Sequence, residues 1–93
     1  MASFVVYILQ SQSTGETYVG QTNDIDRRLA QHNDPEFRGT LHTKRRQGPW
    51  KLLHQEEFMS RSDAMRRERW LKSGSGYRFI RHLLSGDRAD AKP

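Results

Sequence analysis

The sequence predicts an α+β domain: a three-stranded antiparallel β-sheet flanked by helices, in the order ββα–loop–βαα. Three observations carry that prediction. The chain opens on an apolar, β-branched run, Phe4 to Leu9 (FVVYIL), and a second short run follows across a Ser/Gly turn, as in a hairpin. A third strand-like run, Trp50 to Phe58 (WKLLHQEEF), lies far downstream. Between and after these runs stand segments with cap residues and helical apolar spacing.

Taken in order, Phe4 to Leu9 shows no polar alternation and reads as a strand buried on both faces. Residues 11–15 form the turn, and Glu16 to Gly20 the second strand. Asn23 suits an N-cap, with Asp26 three residues later to close a capping box. Asp24 and Asp26 also suit the positive end of the helix dipole. Ile25 and Leu29 mark the packing stripe of a helix that runs to about Asn33. Residues 34–49 are polar, basic and bounded by Pro35 and Pro49, which predicts a long loop. The alternation of Trp50 to Phe58 is imperfect for a strand. Ser60 or Ser62 caps a second helix, with Met59 placed as a hydrophobic staple. Gly74 and Gly76 break it, and Tyr77 to Leu84 forms a third helix with Tyr77, Ile80, Leu83 and Leu84 on one stripe. Residues 1–86 read as a single domain, and 87–93 as a disordered C-terminal tail.

Ninety-three residues, 33% of them hydrophobic, support one compact core. The absence of cysteine excludes disulfides and thiolate metal sites. No run approaches the roughly 20 apolar residues of a membrane span, and the apolar start lacks the basic flank of a signal peptide. A cytoplasmic monomer without a membrane partner is the expectation. The net charge of +5 is unevenly spread. Residues 1–20 carry one charged side chain, Glu16. Residues 61–82 carry Arg61, Arg66, Arg67, Arg69, Lys72, Arg78 and Arg81 against Asp63 and Glu68, and the central loop adds Arg38, Lys44, Arg45 and Arg46. Such clustering suits a polyanion, most simply nucleic acid; a solvated helix face would look the same from charge alone.

Two groups of residues could carry chemistry. Arg28 and His32 lie four apart on the first helix and share a face. Tyr18 ends the adjoining strand, and Gly20 lets the backbone turn closely there. Arginine, histidine and tyrosine can therefore converge, although a surface Arg–His pair and a packed tyrosine give the same pattern. On the second helix Ala64, Glu68, Leu71 and Lys72 share a face, which sets a carboxylate on an apolar stripe. Burial of a carboxylate is costly without a partner. That partner is either an arginine or a divalent cation. Mg²⁺ accepts so sparse a ligand set, because it keeps several waters and draws on substrate phosphate. The histidines at 32, 42, 54 and 82 lack zinc-ligand spacing.

The pair Val5-Val6-Tyr7 and Tyr18-Val19-Gly20 resembles the two half-motifs of the GIY-YIG nuclease domain. Arg28, His32 and Glu68 fall where that family has its helix-borne arginine, a frequent His or Tyr, and its metal-binding glutamate. Thr22-Asn23-Asp24, Gln31-His32-Asn33, His42-Thr43, Pro49-Trp50 and Glu56-Glu57-Phe58 are similar to the small single-domain bacterial members, the UPF0213 type. The resemblance spans about residues 4–84. It implies a metal-dependent endonuclease acting on DNA, structure-selective and repair-related, with one Mg²⁺ or Mn²⁺ ion at Glu68. Tyr18 would be the base that activates water, with Tyr7 positioning it or sharing the proton. Arg28 would stabilise phosphoryl charge, and His32 would bond a tyrosine or the water. Lys72, Lys44, Arg45, Arg46, Arg66, Arg69 and Arg78 would bind nucleic acid. The sequence departs from the family where Val5 replaces a glycine and Gln21 stands where relatives often carry lysine. Those departures keep a second reading open: a catalytically weak nucleic-acid-binding module for DNA or RNA, or a partner of a larger repair protein.

Overall fold

The structure, a computed structural model, describes residues 3–34 and 49–85. Three strands, β1 (Phe4–Ser11), β2 (Thr17–Thr22) and β3 (Trp50–Phe58), form one antiparallel sheet in the order β2-β1-β3. Three helices accompany them, α1 (Ile25–Asn33), α2 (Arg61–Leu71) and α3 (Gly74–Leu84). The predicted architecture and element order are those observed.

The central strand explains why Phe4 to Leu9 shows no alternation. Val5, Tyr7 and Leu9 point to one face, where they pack with Trp50, Leu52, Ile25 and Leu29. Val6 and Ile8 point to the other, against Val19, Ala64, Leu71 and Ile80. Helix α1 thus covers one face and α2 with α3 the opposite one. The imperfect pattern of β3 has a local cause. A bulge sits opposite Ile8 and Leu9, between His54 and Leu52, and it shifts the strand's alternation by one residue.

Several local expectations are corrected. Strand β2 extends to Thr22, so the cap of α1 moves on by one residue. Asp24, not Asn23, accepts the Arg27 N–H at 3.1 Å, and Thr22 Oγ1 accepts from the Asp24 N–H. Ser60 caps α2, but Met59 is 76% exposed and staples nothing. Gly74 and Gly76 do not lie between two helices; α3 starts at Gly74, capped by Ser73. Gly76 is needed because a Cβ there would collide with the Trp70 carbonyl and the Leu71 backbone. Consequently Tyr77 sits in the first turn of α3 at 60% exposure, and Leu84 is 40% exposed; neither belongs to the packing stripe, which is Ile80, Phe79 and Leu83.

The predicted central loop, with Lys44, Arg45 and Arg46, lies outside the described residues, as does the tail. Its two flanks meet. The Asn33 side chain donates to the Trp50 carbonyl at 2.9 Å and accepts from the Trp50 N–H at 2.7 Å, replacing a ladder pair. Gln12 N–H also donates to the Pro49 carbonyl. Among the described residues no helix is long and apolar enough to cross a membrane.

Candidate active site

The site is built on β2, an edge strand whose residues alternate between the sheet faces. Tyr18, Gly20 and Thr22 face α1, whereas Val19 and Gln21 face α2. Tyr7 pairs in register with Gly20 across the β1–β2 ladder. Its ring passes directly over that glycine: a Cβ at position 20 would stand 2.6 Å from the Tyr7 hydroxyl and 2.8 Å from Cζ. Gly20 is therefore the notch through which the central strand sends a phenol towards the sheet edge.

Tyr7, Tyr18 and His32 form a cluster of rings on the α1 face. Centroid separations are 6.3 Å for Tyr7–Tyr18, 5.8 Å for Tyr7–His32 and 5.0 Å for Tyr18–His32. The Tyr7 hydroxyl lies 3.0 Å from His32 Nε2, and His32 is only 3% exposed. Burial pushes the Tyr7 phenol up to about 12, although a hydrogen bond from Arg28 works the other way. At neutral pH the phenol is thus protonated. Arg28 donates to Tyr7 and, through Nη1, to Gln31 Oε1 at 3.0 Å.

Glu68 approaches from the other side of β2. Ala64 and Leu71 are buried on the same helix stripe, as the spacing predicts. Gln21 Nε2 donates to Glu68 Oε1 at 2.9 Å, and Lys72 Nζ donates to Oε2 at 2.9 Å. Among the described residues an amide and a lysine, not an arginine, hold the carboxylate. No cluster of three or more His, Asp or Glu able to hold a metal occurs among the described residues. A lone, half-buried carboxylate with hard oxygen donors nevertheless suits a hydrated divalent ion that completes its shell from a phosphate. The negative charge of Glu68 adds to the rise of the Tyr7 pKa as its smallest contribution.

Two grooves open on either side. A cavity of 280 Å³ is lined by Gln21, Arg28, Gln31 and Thr22 together with Arg27 and Arg61. Sequence reasoning saw Arg61 only as part of a basic cluster and did not join it to Arg27, because they lie on different helices and no spacing links them. The other groove holds Tyr18, Lys72 and Tyr77. Of the other predicted nucleic-acid residues, the described ones, Arg66, Arg69 and Arg78, do not line these grooves. Arg66 pairs with Asp63 at 3.5 Å, Arg78 reaches Ser75 at 3.4 Å, and Arg69 is exposed elsewhere on α2.

Residues 3–82 match the model of the GIY-YIG catalytic domain. The chain belongs to the GIY-YIG family. Within the family it is similar to UPF0213 proteins. That of Halobacterium salinarum is 43% identical over 67 residues, covering 72% of this chain and 82% of the relative. That of Staphylococcus haemolyticus is 40% identical over 75 residues, covering 81% and 87%. The solution NMR structure of the Bacillus halodurans UPF0213 protein is 31% identical, with a TM-score of 0.51 over 95% of this chain and 88% of that one. A structure-specific endonuclease subunit SLX1 homolog of Trypanosoma cruzi is 51% identical over 51 residues, which are 52% of this chain but 10% of the relative. GIY-YIG catalytic domains are nuclease domains that generally depend on a divalent metal, so nucleic acid is the substrate class the family implies.

Proposed function

We propose that this chain is a divalent-metal-dependent endonuclease that hydrolyses phosphodiester bonds in DNA in a repair setting, with structure selectivity in line with the T. cruzi relative's name. The observation that carries the reading is the cluster of Tyr7, Tyr18, His32 and Arg28 on one face of β2, with Glu68 held by Gln21 of the same strand. Tyr18 is the base that takes the proton of the attacking water. It is half-buried and lines an open groove, whereas Tyr7 is sealed, protonated and committed to His32. The Tyr7 hydroxyl and His32 position the Tyr18 ring. Arg28 offers two N–H donors to the phosphoryl oxygens as charge builds there. Glu68 would hold the ion, which would supply Lewis-acid stabilisation of the departing oxygen. Lys72, released from Glu68, takes a neighbouring phosphate, and Arg27 and Arg61 take another.

The grip of Gln21 and Lys72 on both oxygens of Glu68 favours a second reading, a nucleic-acid-binding module with little turnover. One assay separates the two. Nicked, flapped, branched and single-stranded DNAs are incubated with Mg²⁺ or Mn²⁺ beside chelator. Cutting that needs the metal and disappears in Glu68→Gln upholds the endonuclease. Salt-sensitive binding without turnover, indifferent to chelator, upholds the module.

A further inference from the structure

The groove beyond Tyr18 is not accounted for by the hydrolytic residues. It begins as a cavity of 580 Å³ lined by Tyr18, Val19, Leu71, Lys72, Ser73 and Tyr77. It continues into a second of 460 Å³ that shares Thr17, Tyr77 and Ile80 and ends at Arg81, Leu84 and Glu16. Each volume lies in the roughly 300–1,000 Å³ range of small-ligand sites. The floor is apolar, from Val19, Leu71 and Ile80, and the rim near Tyr18 carries the Lys72 ammonium. Tyr77 stands where the two cavities join. At 60% exposure it is the most exposed aromatic side chain among the described residues. Its ring is steadied from one turn away by Arg81, whose guanidinium lies 5.8 Å from the centroid and donates to the hydroxyl at 3.4 Å.

We infer that this groove is a subsite for an unpaired nucleotide flanking the scissile phosphate, with its base stacked on Tyr77. The inference rests on the nuclease reading of the adjoining site and names the substrate class it takes, a strand that is single where it leaves the site. An exposed ring over an apolar floor offers a base a flat partner of low entropic cost, in a way that tolerates any base. A cavity of this size admits one base, not a duplex, and a base inside a duplex has no free face to give. Lys72 at one end of the groove and Arg81 at the other offer cations to the phosphates on either side of the stacked base.

Fluorescence anisotropy in EDTA tests this with three probes: labelled oligothymidine, a flapped duplex and a blunt duplex. Tyr77→Ala should weaken binding of the first two by about tenfold, leave the blunt duplex within about twofold, and be rescued by Tyr77→Phe. Helicity by circular dichroism controls for folding. Equal losses on all three probes, or no loss on any, would overturn the subsite. Cleavage in Mg²⁺ keeps the two readings apart. A Tyr77-dependent preference for unpaired DNA in a protein that never cuts leaves the subsite standing and removes the nuclease. Cutting that Arg28→Ala abolishes, with no Tyr77-dependent preference, removes the subsite alone.

Discussion

Arg67 and Glu68 are neighbours on α2, and both are ion-paired, yet their pairings differ in kind. Arg67 donates through Nε and Nη2 to both Glu56 oxygens, at 2.8 and 2.9 Å. Its guanidinium also lies over Trp70 at 4.5 Å and over Phe79 at 5.3 Å. His54 closes the cluster, 2.9 Å from Glu56 and edge-on to Phe79. Glu68 has instead a neutral amide and an exposed lysine, each a single bond, between two open grooves. A planar fork on a carboxylate, covered by aromatic rings, fastens α2 and α3 to β3. Two monodentate contacts at a groove can be exchanged for ligands at small cost. Adjacent charged residues on one helix thus separate into a fastening and a candidate site according to what covers them.

The largest expected effect lies on the site. Arg28→Ala should reduce cleavage by about 100-fold or more, since a donor aimed at developing phosphoryl charge is lost, with little change in thermal midpoint. An unchanged rate would mean that the Tyr7–Tyr18–Arg28 cluster serves only packing. Next comes the sealed phenol. In the unfolded chain Tyr7 titrates near ~10, and in the fold at about 12. Below pH 10 both states hold the proton; between pH 10 and 12 only the folded state does. Stability therefore falls as pH rises through that window, by about 2–3 kcal/mol in all. Urea midpoints of Tyr7→Phe should lack this part of the alkaline decline. An identical decline in wild type and variant would contradict the burial argument.

On the fastening side, Arg67→Ala should cost about 2 kcal/mol of stability and leave cleavage intact below the midpoint. The bond to Arg67 is also the main reason that the Glu56 carboxyl is held below its ordinary value. The depressed value means that this contribution is present above the usual carboxylate range and is lost as pH falls. Thermal melts of Arg67→Ala should accordingly show a weaker acid dependence than wild type. A loss of cleavage larger than the unfolded fraction accounts for would show that the fastening also shapes the site.

The fold was legible because its signals are local. A non-alternating β-branched strand, a turn and three capped segments suffice to give ββαβαα, and residues 3–82 match the family model. The misreadings concern where one element hands over to the next. Asn23 and Asp24 are both good caps, and only the length of β2 decides between them. Gly76 resembles a helix breaker until the close approach of the Trp70 carbonyl supplies its reason. Glu68 could be read as unusual from its apolar stripe, but its partner Gln21 is 47 residues away and has no spacing signal. Arg27 escaped notice, Arg61 was seen only as part of a basic cluster and Tyr77 was read as packing, for the same reason: a groove made by several elements leaves no period in any one of them.

The contrast between the two carboxylates is open to one direct measurement. A crystal soaked in Mn²⁺ with a phosphorothioate oligonucleotide gives an anomalous difference map that locates the ion. The account predicts a peak against Glu68, with Gln21 or Lys72 displaced, Tyr18 and Arg28 facing it, and none against Glu56. A map with no peak at Glu68, its carboxylate still bound by Gln21 and Lys72 beside an ordered oligonucleotide, would contradict it.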